Sequence, residues 1–195
     1  ATESYEYVFS KYDSLLNKVY PEVGILSYLS SHDDSSPFDR YRETPIKAAN
    51  TLLLNPGGIQ IYYGDETMRP LEVEGAIGDA NLRSFMNWEA LESDSVSEIH
   101  KHWQKLGRFR QSHPAVGGGR HQKINDTPYF FTRTTATDTV IIGLELSGPT
   151  TISLPKELQG FTTWQDAYTG NTYLAKNGNI ELNTTASTAL LSPVR

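Results

Sequence analysis

Cysteine is absent from the 195 residues. No disulfide framework can staple the chain, and no thiol can serve as nucleophile or metal ligand. A basic surplus is also missing: 17 Lys and Arg stand against 23 Asp and Glu, for a net charge of −6. A nucleic-acid binder carries a basic face, so that class of partner is set aside. No apolar run approaches the roughly 20 residues of a membrane span, so no membrane crossing is expected. Like charges do not cluster into a tail. The first residues, ATESYEYVFSKYD, lack the charged-then-apolar order of a leader and have no starting Met, so they read as those of a processed or cut chain. What is present is 37% hydrophobic residues, enough for a packed core in one large domain or two small ones. The second half is rich in Thr, Asn and Gly, which leans toward an exported protein, secreted or periplasmic.

Residues 4–20 place Tyr5, Val8, Tyr12, Leu15, Leu16 and Val19 at helical spacing, and Pro21 stops that helix. VGILSYL, 23–29, is short and apolar between turn residues and reads as a buried strand. Thr44 and Pro45 mark a helix start, and NPGG, 55–58, its end. IQIYYG, 59–64, is a second short strand. A polar connection, 65–94, follows; it is long enough to be functional or packed on something. Ser95 to Glu98 has the form of a capping box ahead of Ile99, Trp103, Leu106 and Phe109. Pro114 and the glycines 117–119 close that helix.

The pattern then changes. YFFTRTT, TVIIGLEL, TTISLP, FTTWQDAY, NTYLA, GNIELN and STALLSPV are short β-prone runs separated by turn signals. They indicate an antiparallel Greek-key β-sandwich. The expected division is therefore 1–116, α/β, and 117–195, all-β. The first part is incomplete on its own terms. A strand-helix-strand unit implies a parallel pair, and parallel sheets are covered on both faces and contain more strands. Residues 1–113 read as a piece of a larger α/β domain. Its open sheet edges predict self-association of the isolated chain, or a place beside the missing remainder.

At this point the motifs resemble a family. YLSSHDD, 28–34, followed by LLLNPGGIQIYYGDE, 52–66, resembles the final βα units of the α-amylase family of glycoside hydrolases. In that family a barrel strand ends on Asn-His-Asp, and a later strand leads into Ile-Tyr-Tyr-Gly-Asp-Glu, which residues 61–66 match without change. Arg83 with FMNW, 85–88, resembles the family's Arg-x-x-Met-x-Trp segment. LGRFRQSHPAV, 106–116, resembles the helix that leaves the barrel. Asp166, Thr169 and Gly170 resemble a turn of its C-terminal β-sandwich. Ser31 stands where the family usually has Asn, and Gly58 where a Pro is common.

The resemblance implies the end of a (β/α)8 TIM barrel plus a β-sandwich, and an α-linked glucan or oligosaccharide as substrate. It implies a retaining mechanism through an oxocarbenium-like transition state. It assigns Asp33 the carboxylate that offsets developing positive charge, and His32 a hydrogen bond to the same sugar. Chemistry at the C-terminal ends of barrel strands suits a pair just past 23–29. No nucleophile or general-acid segment of the family is found, so the missing N-terminal part of the barrel would supply both, and the 195-residue chain alone would be inactive. No cofactor is expected in this chain; the family's calcium sites draw mainly on regions outside it.

Blander readings compete. A His-Asp pair in a polar loop is more often simply solvated. Asp33-Asp34 lacks a second cluster with ligand spacing. Asp65-Glu66 reads better as a pair that orients the long connection. Of Tyr62 and Tyr63, on opposite strand faces, one is expected in the core and one toward the sugar cleft. Trp88 lines an outer subsite or packs in the core; Trp164 is core. His100 and His102, two apart on a helix, make a poor metal pair. Val116–Arg120 lacks the Lys-Ser/Thr of a phosphate loop. Two further functions remain open: a non-catalytic carbohydrate-binding or structural module, and a family member that performs transglycosylation or isomerisation.

Overall fold

In the computed structural model, which describes residues 3–194, the first helix opens at Ser4, whose hydroxyl accepts from the Tyr7 amide at 3.2 Å. Helix α1 (Tyr5–Ser14) runs into a π-helical turn, Leu15–Val19, and ends before Pro21. Strand β1 (Leu26–Ser27), helix α2 (Pro45–Leu53) and strand β2 (Gly58–Ile59) follow. The two strands pair in parallel, Leu26 opposite Gly58 and Ser27 opposite Ile59. Each is two residues long, not the 23–29 and 59–64 of the apolar runs. A ladder extends only where a neighbour exists, and among the described residues neither strand has a second one. No closed barrel forms among those residues. Leu26 and Tyr28 stay 60% and 50% exposed, although their sequence is that of a buried strand.

Helix α3 (Asp94–Ser112) begins one residue before Ser95, so the expected capping box does not form. Ser95 already lies in the first turn and cannot be the half-in cap residue. Its hydroxyl instead meets that of Ser93 at 3.0 Å, and Glu98 pairs with Lys101 at 2.7 Å. Pro114 does not simply end the helix; it starts a second short one, α4 (Pro114–Gly118), where its missing N–H costs nothing.

Eight strands complete the chain: β3 (Arg120–Asn125), β4 (Tyr129–Thr134), β5 (Thr139–Leu144), β6 (Thr150–Ser153), β7 (Thr163–Asp166), β8 (Thr172–Lys176), β9 (Asn179–Leu182) and β10 (Thr188–Pro193). Seven were legible as β-prone runs. The eighth, RHQKIN, was missed because it is a mostly polar edge strand. All eight belong to one antiparallel sheet in the order β3-β4-β5-β10-β7-β8-β9-β6. Strands β7, β8 and β9 follow one another and β10 returns beside β7, which is the expected Greek key. The sheet is rolled, so the end strands β3 and β6 approach each other and the shape is nearly that of a barrel.

One apolar cluster fills the inside of the roll, with Phe130, Ile141, Trp164, Ile180 and Leu191 at its centre. Trp164 is core, as expected. Alternation puts Phe131, Ile142 and Leu190 on the outer face, where they join Phe9, Leu52, Trp103 and Phe109 of the helices in a second cluster. Strand β5 is buried along its whole length because both its faces are covered. Gly143 leaves room for a ring: a Cβ there would lie 2.2 Å from Phe130.

Polar bonds cross the helix–sheet seam. His102 of α3 lies buried, Nε2 3.0 Å from Asn50 Oδ1 and Nδ1 2.9 Å from the Tyr168 hydroxyl. Nε2 is therefore the protonated nitrogen, and Tyr168 donates to Nδ1. The Asp166 turn holds Tyr168 in place: Oδ1 accepts from the Tyr168 and Leu190 amides, both at 2.9 Å, and Oδ2 from Thr169 Oγ1 at 2.6 Å. At the other end, the Tyr129 hydroxyl donates to Glu6 at 2.8 Å and lies 3.0 Å from His121 Nε2.

Burial pushes both imidazoles down from 6.5 to about 4. The Lys105 charge adds to the effect at His102 and Arg133 at His121, where Glu6 pulls the other way. The unfolded chain binds these protons at higher pH than the folded one. The contribution of these two groups to stability is thus fully present above about pH 6.5 and is lost as pH falls toward 4, by about 3 kcal/mol for His102 and in the same direction for His121. Urea midpoints measured across that window should fall with pH; a flat profile would rule this out.

Candidate active site

The chain is buried at Leu29, Ser30 and Ser31 and emerges at His32. Past the end of β1 it therefore delivers His32 and Asp33 together to solvent, with side chains 65% and 62% exposed. Ser31 Oγ donates to Asp33 Oδ1 at 2.9 Å, and His32 Nε2 lies 3.6 Å from Asp33 Oδ2. One carboxylate oxygen is thus oriented from below while the group faces outward. Asp34 makes a turn instead: its Oδ1 accepts from the Ser36 amide at 2.8 Å. Among the described residues no three His, Cys, Asp or Glu side chains gather where they could hold a metal ion.

This corner is braced from beneath. Ser30 Oγ donates to Asp65 Oδ1 at 2.7 Å, and Arg42 Nη2 reaches the same oxygen at 2.9 Å. Asp65 is fully buried and Arg42 nearly so. Arg42 Nε also donates to the Arg69 carbonyl at 2.9 Å. From the side, Arg83 Nε donates to the His32 carbonyl at 3.0 Å. Asp65 therefore orients the connection, as its position after a strand suggested. Ser30, Arg42 and Arg69 gave no such signal, since no spacing rule joins positions so far apart in the chain.

Arg69 is the centre of the 65–94 connection. It is fully buried and donates to the Tyr63 carbonyl at 3.0 Å, Ser84 Oγ at 2.6 Å and the Leu82 carbonyl at 3.1 Å. Its guanidinium lies 4.1 Å from the Tyr63 ring centre and 5.4 Å from that of Tyr62, within cation–π range. Gly64 makes this possible. Its φ is +83°, and a Cβ there would stand 2.5 Å from Arg69. Neither tyrosine is buried in the core, against the expectation that one would be. Both pack on Arg69, and their hydroxyls donate to the Leu82 and Ser84 carbonyls at 3.0 and 2.7 Å. Trp88 is 68% exposed and not core; it and the exposed Phe85 follow the pinned residues 82–84. A separate groove of ≈ 900 Å³, lined by Tyr12, Tyr28, Phe38 and Tyr41 among others, does not include His32 or Asp33.

A two-stranded parallel β-α-β unit is joined here to a rolled Greek-key sheet, and the chain has relatives in both sequence and fold. The chain is 41% identical over 119 residues to a periplasmic alpha-amylase of Escherichia coli (strain K12), a match covering 60% of this chain and 17% of that protein. Its fold matches the alpha-amylase of Geobacillus thermoleovorans complexed with acarbose, with a TM-score of 0.69 at 17% identity over 97% of this chain and 42% of that one. It also matches AmyP in complex with maltose, with a TM-score of 0.67 at 19% identity over 91% of this chain and 42% of that one. No family model matches. The resemblance to the C-terminal part of α-amylases read from the sequence is upheld. The chain spans 17% of the curated relative and less than half of these solved structures.

Replacing Arg69 by Met should cost about 3 kcal/mol, because three buried or part-buried acceptors lose a charged donor. Limited proteolysis should then cut within 65–94; unchanged resistance would show that Arg69 does not hold this connection.

Proposed function

We propose that the chain is the C-terminal part of an α-amylase-type glycoside hydrolase acting on α-linked glucans by a retaining mechanism. Residues 1–116 would be the last βα units of a (β/α)8 barrel, and 117–195 the C-terminal β-domain. Asp33 would be the carboxylate that stabilises the transition state, and His32 would hydrogen-bond the sugar. Nucleophile and general acid would come from the remainder of the protein.

The observation that carries this reading is the exposed His32–Asp33 corner at the C-terminal end of a parallel strand. That is the end of a barrel at which chemistry is built. As the reacting sugar flattens toward an oxocarbenium ion, positive charge develops on the ring. A fixed carboxylate beside it strengthens its interaction as that charge grows, and so acts on the transition state more than on the ground state. Ser31 holds one oxygen of Asp33, which limits reorganisation. The exposed Leu26, Tyr28 and Ile61 support the fragment reading, since a complete barrel would cover the parallel strands. The sequence relative, a periplasmic alpha-amylase, supports an oligosaccharide substrate and a periplasmic or secreted location. Any calcium would sit in the remainder of the protein.

In the intact protein, Asp33→Asn should lower kcat on starch about a thousandfold or more with an unchanged melting temperature. The 195-residue chain alone should release no reducing sugar. Near-normal turnover by the Asn variant would remove Asp33 from the mechanism.

A further inference from the structure

We infer that the buried Ser30–Asp65–Arg42 bracket is a positioning device for the His32–Asp33 corner, acting through the backbone at Ser30. The inference rests on the functional reading above and adds to it three residues that touch no substrate.

Ser30 is completely buried, two residues before His32. Its hydroxyl is spent on Asp65 Oδ1 at 2.7 Å, an acceptor 35 positions along the chain. That same oxygen takes Arg42 Nη2 at 2.9 Å, so the acceptor is charged and is itself fixed. Charge-assisted bonds of this kind are short and strong. Arg42 adopts φ +57°, an uncommon conformation for a residue with a side chain, and holds it with bonds to Asp65 and to the Arg69 carbonyl. Strain of this kind persists only where the surroundings over-determine it. The bracket joins the end of β1, the 36–44 loop and the start of the 65–94 connection at one point. Directly above it the chain turns outward and Ser31 orients Asp33. A catalytic carboxylate must be held to a fraction of an ångström, and loops do this only with buried support.

The test uses the intact protein and maltooligosaccharide. Ser30→Ala removes one hydroxyl and leaves the Asp65–Arg42 pair in place. It should lower kcat about tenfold, leave KM within about twofold, and shift the melting temperature little. In an Asp33→Asn background it should cost nothing further, because the device acts through Asp33. Asp65→Asn keeps an acceptor for both partners and should fall between the parent and Asp65→Ala; this pair decides the matter if Ser30→Ala is unstable. Full kcat in both Ser30→Ala and Asp65→Ala beside an inactive Asp33→Asn would overturn the bracket alone, as would losses that multiply with that of Asp33→Asn. Retained turnover in Asp33→Asn would instead overturn the functional reading, and this inference with it.

Discussion

The outer face of the rolled sheet is the surface on which the rest of this chain depends. Four helices and a two-stranded parallel sheet cannot bury themselves. They become a packed layer because Tyr129, Phe131, Ile142, Leu144 and Leu190 stand outward from the sheet and share one apolar cluster with Phe9, Leu52, Leu53, Trp103 and Phe109. The sheet therefore carries two cores, one inside the roll and one beneath the helices. That double duty explains why β5 is buried throughout and does not alternate.

Polar side chains set the register of this contact. Apolar packing is non-directional, so it fixes proximity more than orientation. The chain from Tyr5 through Asn50 and His102 to Tyr168 ties α1, α2 and α3 to the turn after β7. Glu6, Tyr129 and His121 tie α1 to β3 and β4. Arg110 of α3 reaches the Leu53, Asn55 and Gly57 carbonyls and closes the end of α2 just before β2. Each link is buried or partly buried, and loss of one partner would leave the other unsatisfied at a cost of about 1–3 kcal/mol.

The candidate site inherits its rigidity from these contacts. β1 and β2 contribute few ladder bonds, so the His32–Asp33 corner cannot rely on the parallel sheet for its geometry. Asp65 holds it from below, Arg83 from the side, and Arg69 keeps the long connection against it. The Asp33 carboxylate itself remains open to solvent. The exposed carboxylate thus stands on a brace of buried polar residues.

The sequence alone determined what local pattern can determine. Turn residues and β-branched runs marked seven of the eight strands, helical spacing marked α1, α2 and α3, and a resemblance carried by short contiguous motifs pointed to His32 and Asp33. It misplaced what depends on partners: the lengths of β1 and β2, the cap of α3, and a core place for one of Tyr62 and Tyr63. Only the tertiary structure rolled the sheet toward closure, buried Arg69 between two tyrosines, and brought Ser30, Arg42 and Asp65 to one point. Periodicity reports which face of an element is apolar, but a hydrogen bond between residues 35 positions apart exists only once the chain has folded and water has left the space between them.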